Sequence, residues 1–200
     1  MPILMAVLTA ACSANRDGFH SILPDSVQLR PGDVVFRRGN AVVSRIVIAA
    51  DRGSSYSHVG IVVDSSGVPM IVHAVPDEPD YEGDPDRVKM DRPERFFSSE
   101  YACRGEVCRC TDSTVARRAA EIAVGIYRSG MLFDDDYDDS DTTRMACTEL
   151  VSYAYSRAGL TLTDAPRHRI SLPMVSTNCH FPSDLLKSPH LYSTTIFINP

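Results

Sequence analysis

The sequence predicts a single α+β domain with an amphipathic helix that begins at Cys147. The chain of 200 residues is long enough to bury one hydrophobic core. Its composition, 44% hydrophobic and 23% charged, is that of a globular protein. Segments typical of strands and helices mix without the regular alternation that builds parallel βαβ units, which favours α+β.

A succession of strand and helix patterns follows along the chain, with Gly, Pro, Ser and Asp between them. In chain order we predict a strand at 33–36, a helix within 41–50, a strand within 54–63, a turn at 64–67, a strand at 68–75, a strand within 105–111, a helix at 113–128 capped by Ser113, the helix at Cys147, a helical turn at 181–186 and a strand at 191–198. Residues 76–100 are rich in Pro, Asp and Glu and are expected to be a surface excursion.

The first twenty residues are predicted to be a leader and spacer, which leaves 21–200 as the domain. ILMAVLTAAC is a short apolar run that ends in small residues and Cys12, the pattern of a bacterial lipoprotein signal whose cysteine is lipidated. Thr9 replaces the usual larger aliphatic residue and no Lys or Arg precedes the run, so an ordinary first strand or helix is the alternative. We expect attachment to the bacterial envelope through Cys12, with a cytoplasmic protein as the alternative.

Charge and cysteine content limit the partners. The net charge is −6 and no basic run exceeds two arginines, which excludes a nucleic-acid binder. Besides Cys12 and Cys147, an even set of cysteines remains that suits one or two disulfides in an oxidising compartment: Cys103, Cys108, Cys110 and Cys179. A zinc site built from them or from His180 is the alternative, although the spacing is not a standard one. We expect no metal and no other cofactor.

The segment HVGIVVDSSGVPMIVH predicts a hairpin that carries two histidines. If the turn is symmetric about Ser65-Ser66, paired residue numbers sum to 131, and His58 and His73 become direct cross-strand neighbours on one face. One imidazole would then hold the tautomer of the other. A different loop length would change this register.

Cys147 begins an amphipathic pattern in ACTELVSYAY, with Leu150, Val151 and Ala154 on the same helix face. A small buried apolar residue is one interpretation of this cysteine. The other is a nucleophile, because the N–H groups and dipole at a helix N-terminus favour a thiolate.

Four segments, RPGDVVFRRGN, YSHVGIVV, IVHAVP and ACTELVSYAY, resemble in this order the YiiX-like group of circularly permuted papain-like cysteine peptidases of the NlpC type. The resemblance covers roughly residues 27–188 and implies a permuted papain-like fold, in which an antiparallel sheet or barrel packs against the cysteine helix. In the permuted group the histidine hairpin precedes the cysteine helix, as here.

The resemblance implies that Cys147 is the nucleophile, His58 the general base and His73 the third polar residue. Relatives often have an acidic residue at the third position, and a histidine occurs there in the similar lecithin retinol acyltransferase group. Tyr56, two residues before His58, is a candidate substrate-binding residue if the strand has already begun, and a packed tyrosine otherwise.

We therefore expect a thiol hydrolase that cleaves an amide bond in a peptide, amino-acyl or cell-wall compound. An acyltransferase or lipid-directed thiol enzyme, and a catalytically silent envelope binding module, are the alternatives. The acidic run from Asp134 to Asp141 is interpreted as a solvated loop, with a calcium site or a rim that attracts a substrate amine as alternatives.

Overall fold

The computed structural model describes residues 18–52, 54–136, 143–172 and 175–199. The predicted lipidation residue Cys12 and the acidic residues 137–141 lie outside these ranges. The described part contains ten strands and five helices. They are β1 (Val34–Gly39), α1 (Val42–Ala50), β2 (His58–Ser65), β3 (Val68–Val75), β4 (Arg87–Asp91), α2 (Pro93–Phe96), β5 (Ala102–Cys110), α3 (Ser113–Arg128), β6 (Leu132–Phe133), β7 (Arg144–Met145), α4 (Cys147–Arg157), β8 (His168–Leu172), β9 (Val175–Cys179), α5 (Pro182–Leu186) and β10 (Leu191–Ile198).

Eight of these strands form one open sheet in the order β10-β5-β1-β2-β3-β4-β6-β7. Every pairing is antiparallel except that of β6 with β7, which is parallel. The α+β class is confirmed, but the sheet does not close into a barrel. Strands β8 and β9 form a separate hairpin that the sequence did not reveal.

The central strands are buried on both faces, which explains why they appear in the sequence as continuous apolar runs. On one face, Val34, Phe36 and Val59 belong to the larger core beneath α3 and α4. On the other face, Val35 and Val62 join a smaller cluster of aromatic residues from α2 and β10. Helix α4 therefore approaches β2 from the side opposite that cluster.

Strand β4 and helix α2 lie inside the region predicted to be a surface excursion, so that prediction is wrong for residues 87–91 and 93–96. The strand pairs with β3 and places Val88 in the larger core. Lys89 and Asp91 lie on the other face and are nevertheless buried. The alternation in RVKMD is the period-two signal of a strand, and the acidic residues before it hide this signal.

The described cysteines do not form the disulfides expected from their even number. Cys103, Cys108 and Cys110 all lie on β5. Residues five positions apart on a strand are about 16 Å apart, far beyond the reach of a disulfide. Cys108 and Cys110 point into the larger core instead. No described helix has both the length and the apolar character needed to span a membrane.

Helix α3 begins as predicted at residue 113, but its cap is a different residue. The carboxylate of Asp112 accepts hydrogen bonds from the backbone N–H groups of Thr114 and Val115, at 2.8 and 3.1 Å. Asp112 is thus the N-cap and Ser113 is the first helical residue.

This geometry predicts that Asp112→Ala destabilises the protein, because two N–H groups at the start of α3 lose their acceptor. The melting temperature should fall by a few degrees. Ser113→Ala is the matched control and should leave it nearly unchanged. A larger effect of Ser113→Ala in thermal unfolding would contradict the assignment of the cap.

Candidate active site

The β2–β3 hairpin sets the relative positions of His58 and His73. Ser66 and Gly67 both have positive φ, 58° and 81°, which is the signature of a two-residue type I′ turn. Ser65 consequently pairs with Val68, and paired residue numbers sum to 133 rather than 131. The predicted register is wrong by two residues. Since the shift is even, both histidines remain on one face, as diagonal rather than direct neighbours.

Gly60 makes this diagonal contact possible. Continued by one residue, the observed register places Gly60 opposite His73. A Cβ atom at position 60 would lie 3.2 Å from the Cβ of His73 and 2.7 Å from the Cγ2 of Ile71. The space left by the missing side chain lets the His73 ring approach His58. The Nδ1 atom of His73 lies 3.0 Å from the Nε2 atom of His58.

Asp91, which the sequence analysis missed, extends this contact across a third strand. It lies on β4, next to β3, and its Oδ2 atom is 3.1 Å from Nε2 of His73. His58, His73 and Asp91 therefore form a hydrogen-bonded chain across β2, β3 and β4. The alternation in RVKMD places Asp91 on the same strand face as Lys89, which pairs with His73. This alternation is the sequence signal that could have placed Asp91 near His73.

The charge of Asp91 fixes the direction of these hydrogen bonds. Burial by itself raises the pKa of Asp91, but the hydrogen bond from His73 and the charges of Lys89 and Arg95 outweigh burial and hold the pKa at about 2. An ionised carboxylate only accepts, so His73 donates from Nε2, and the His73 tautomer that has its single proton on this atom accepts at Nδ1. His58 then donates from Nε2, which leaves its Nδ1 unprotonated.

The surroundings of His58 favour its neutral form. Burial, the charge of Arg37 and the neighbouring His73 hold the pKa of His58 well below its ordinary value. The ring of Phe96 covers both histidines, with centroid distances of 5.6 Å to His58 and 5.0 Å to His73. Arg37 stacks on the same Phe96 ring, at 4.7 Å, and pairs with Glu78.

Cys147 is the first residue of α4 and is half-buried. Burial raises the pKa of its thiol to about 11, although the backbone N–H groups of Val59 and Thr148 and the charge of Arg37 act in the opposite direction. The helix N-terminus therefore does not produce a resting thiolate. The thiol and the His58 imidazole are both uncharged at neutral pH.

Cys147 and His58 line one cavity of about 560 Å³. Arg37, Thr148 and His180 contribute further polar groups to its wall. The hydroxyl of Thr148 donates to the carbonyl of His180, at 3.0 Å, and so ties the segment before α5 to the start of α4. The structure thus brings together Cys147, His58 and, through hydrogen bonds, His73 and Asp91.

Tyr56 does not line this cavity. Because β2 begins at His58, the alternation of the strand does not extend to Tyr56, and its side chain lies in the larger core against Phe36. Its hydroxyl accepts a hydrogen bond from Nε of Arg104 at 3.2 Å. Burial raises its pKa to about 12. The structure places Tyr56 as a packed core residue.

Of the acidic run, Asp135 lines the cavity, whereas residues 137–141 are outside the described ranges. Burial and the negative charge of Asp86 raise the pKa of Asp135. Among the described residues, no group of three or more His, Cys, Asp or Glu side chains is arranged to hold a metal ion.

Comparison with known proteins identifies the fold. No protein-family model matches the sequence, and no curated protein sequence matches it. Among solved structures, the crystal structure of the metalloprotein YiiX from Escherichia coli O157:H7 superimposes with a TM-score of 0.68. The match covers 87% of this chain and 100% of that one, at 18% identity. The chain has the YiiX fold. The described donor groups of this chain do not form the cluster that a resident metal ion would need.

The tight contact at Gly60 predicts that Gly60→Ala destabilises the protein by about 1–3 kcal/mol, because the added methyl group overlaps Ile71 and His73. Gly125→Ala in α3 is the control, since a Cβ there meets nothing within 4 Å. It should be neutral or stabilising in a helix interior. Urea unfolding measures both, and equal midpoints for the two variants would contradict the packing described.

The lowered pKa of His58 predicts a pH-dependent stability. Below a pH of about 6.5 the unfolded chain binds a proton at His58 that the folded protein does not bind, so stability falls as pH falls. The free energy of unfolding should change by up to about 1.4 kcal/mol per pH unit for this one proton. His58→Gln should remove this part of the slope between pH 7.5 and 5.5. Identical slopes for wild type and variant in urea unfolding would show that His58 titrates normally.

Proposed function

We propose that the protein is a thiol hydrolase that cleaves an amide bond, with Cys147 as nucleophile and His58 as general base. His73 and Asp91 orient the base. The observation that carries the proposal is the hydrogen-bonded chain His58–His73–Asp91, which ends at the cavity that also contains a thiol at a helix N-terminus. A nucleophile, a base and an orienting group form the arrangement that covalent catalysis requires.

The chemistry follows from the resting protonation states. Because Cys147 is a thiol and His58 is neutral, the unprotonated Nδ1 of His58 takes the thiol proton as sulfur attacks the substrate carbonyl. The carbonyl π electrons move onto oxygen, where N–H groups at the start of α4 stabilise the oxyanion. When the intermediate collapses, the C–N bond breaks and the His58 proton passes to the departing amine. Water, deprotonated by His58, then hydrolyses the thioester to a carboxylic acid and restores the thiol.

Asp91 contributes most when His58 carries a proton. The imidazolium keeps its Nε2–H bond to His73, and His73 keeps its bond to the Asp91 carboxylate. The negative charge of Asp91 stabilises this cation through His73, in surroundings that Phe96 shields from water. Burial and the charge of Arg37 oppose the imidazolium and so keep the base neutral before the substrate binds.

The order of the functional residues supports a permuted papain-like enzyme of the NlpC type. His58 and His73 precede Cys147, as in the family that the sequence resembles, and Asp91 supplies the acidic group that relatives often carry. The YiiX fold is consistent with this assignment at the level of architecture. Envelope attachment through Cys12 belongs to the same proposal and depends on residues outside the described ranges.

The chain of hydrogen bonds predicts that Asp91→Asn lowers kcat about 10²- to 10⁴-fold without unfolding the protein. The amide removes the charge and permits the wrong His73 tautomer. The acidic limb of the pH–rate profile should also move to lower pH, since the imidazolium loses its counter-ion.

Asp64→Asn is the matched control for this experiment. Asp64 lies on β2 beside the exposed hairpin turn, where its carboxylate accepts the N–H of Gly67 at 2.9 Å. Its replacement should leave kcat and the pH profile unchanged. Wild-type kcat in Asp91→Asn, or an equal loss in both variants, would contradict the orienting role of Asp91.

The nucleophile is tested by intact-mass spectrometry across a panel of amides and esters. Wild-type protein should accumulate a covalent acyl adduct on Cys147, and an added amine acceptor distinguishes transfer from hydrolysis. Cys147→Ala should show neither adduct nor turnover, and Cys147→Ser should be nearly inactive, because His58 is too weak a base to activate a hydroxyl. Turnover by folded Cys147→Ala would overturn the proposed function.

A further inference from the structure

The segment that follows β3 crosses the sheet beside His58. Glu78 comes three residues after the end of β3, yet its carboxylate pairs with Arg37 on β1. Strand β2 lies between β1 and β3. Because β2 and β3 are antiparallel, the end of β3 lies at the start of β2, where His58 stands opposite Arg37. Residues 76–80, here called the strap, therefore cross the end of β2 that carries the candidate base.

Charged contacts hold the strap in this position. The ammonium group of Lys89 donates to the backbone carbonyl of Glu78 and, at 2.7 Å, to the carboxylate of Asp80. Arg95 donates to the same carbonyl of Glu78, at 3.4 Å, and pairs with Asp80. The backbone of Glu78 is thus fixed independently of the contact that its side chain makes with Arg37.

The ion pair of Arg37 and Glu78 lies in the wall of the cavity that contains Cys147 and His58. Arg37 is only 3% exposed. Its Nη1 donates to the carbonyl of Phe96 at 2.8 Å, and its Nη2 donates to Oε1 of Glu78. Within the described part of the chain, Nε of Arg37 and Oε2 of Glu78 are buried without a hydrogen-bond partner. The pair is therefore not the bidentate contact that stabilises a fold most, and this favours an electrostatic role.

The charge of Arg37 acts on both reacting groups. Burial, and after it the charge of Arg37, lowers the pKa of His58. At Cys147 burial raises the pKa and Arg37 acts against it. A carboxylate bound to Arg37 cancels part of this positive charge at both groups.

Other ionisable groups also face the site from the elements around it. They are His73 of β3, Asp91 and Lys89 of β4, Asp77 of the strap, and Glu100, Tyr101, Asp135 and His180 of the cavity wall. Glu78 differs from these groups because it pairs directly with the cation beside His58.

We propose that Glu78 is a positioning residue, which limits through its ion pair the positive charge that Arg37 exerts on His58 and Cys147. This inference rests on the proposed function and concerns the regulation of that same site. As His58 takes the thiol proton it becomes a cation next to Arg37, and the carboxylate of Glu78 reduces the repulsion between them. No bond forms or breaks at Glu78, which keeps its charge throughout the reaction.

The test compares Glu78→Gln with Glu100→Gln in the full-length protein. Glutamine keeps the size of the side chain and still accepts from Arg37, so the charge alone is removed. With an amide that the wild type cleaves in the panel described above, Glu78→Gln should lower kcat about three- to tenfold. The acidic limb of its kcat/KM profile should move to lower pH by about 0.5–1 unit, because His58 loses its proton more readily. Glu100→Gln removes the same charge from an exposed side chain of the same wall and should change neither.

The variant Glu78→Asp separates the charge from the shape of the side chain. It keeps the carboxylate, so its acidic limb should stay close to that of the wild type even where its melting temperature falls. A merely structural role would lower the melting temperature of both Glu78 variants and leave both acidic limbs unchanged. That result would overturn the proposal.

A second measurement does not depend on turnover. Alkylation of Cys147 by iodoacetamide at pH 8.5, followed at that site by mass spectrometry, reports the fraction of thiolate. Added positive charge favours the thiolate, so Glu78→Gln should accelerate alkylation about two- to fivefold. Glu100→Gln should match the wild type.

The two measurements distinguish failure of this inference from failure of the proposed function. Faster alkylation in Glu78→Gln, with no turnover of any amide by the wild type, would refute the proposed function and uphold the role of Glu78. Turnover by the wild type, together with unchanged alkylation and an unchanged acidic limb in Glu78→Gln, would overturn the inference alone.

Discussion

The register of three adjacent strands is the constraint on which the candidate site depends. The two-residue turn at Ser66 and Gly67 sets the register in which β2 pairs with β3. Strand β4 pairs with the other edge of β3 in a register of its own. His58, His73 and Asp91 then follow one another diagonally across the sheet. A slip of one residue in either pairing would move one of these side chains to the opposite face and break the chain of hydrogen bonds.

Burial and electrostatics compete at this site, and burial determines the resting state. At Cys147 the loss of solvent outweighs the helix N-terminus and the backbone N–H groups, so the thiol keeps its proton. At His58 burial and Arg37 act together, so the ring stays neutral. Asp91, in contrast, is held charged by the hydrogen bond from His73 and by the charges of Lys89 and Arg95. The negative charge of Asp91 therefore lies two residues along the hydrogen-bonded chain from His58. This arrangement fits the proposed general-base role better than a preformed thiolate–imidazolium pair.

Much of this arrangement could be predicted from the sequence because it depends on periodicity. The buried strands, the helix at Cys147 and the common face of the two histidines all follow from repeating apolar positions. The register of β2 with β3 could not be predicted in this way. It depends on the type of turn, which requires a positive φ at Ser66, and Ser66 is not a glycine. Asp91 was missed because acidic neighbours hide a short alternating strand. The exposure of α1 could not be predicted either, because an apolar pattern does not show whether other residues cover the helix.

The protonation of His58 is the most direct test of the account, and long-range ¹H–¹⁵N correlation spectra of histidine-labelled protein measure it. Between pH 6 and 8 the account predicts a neutral His58 ring protonated at Nε2, with a downfield Nε2 proton shared with His73. Asp91→Asn should abolish this signature, whereas Asp64→Asn should retain it. An imidazolium at His58, or a neutral ring protonated at Nδ1, would contradict the proposed base and the hydrogen-bonded chain behind it.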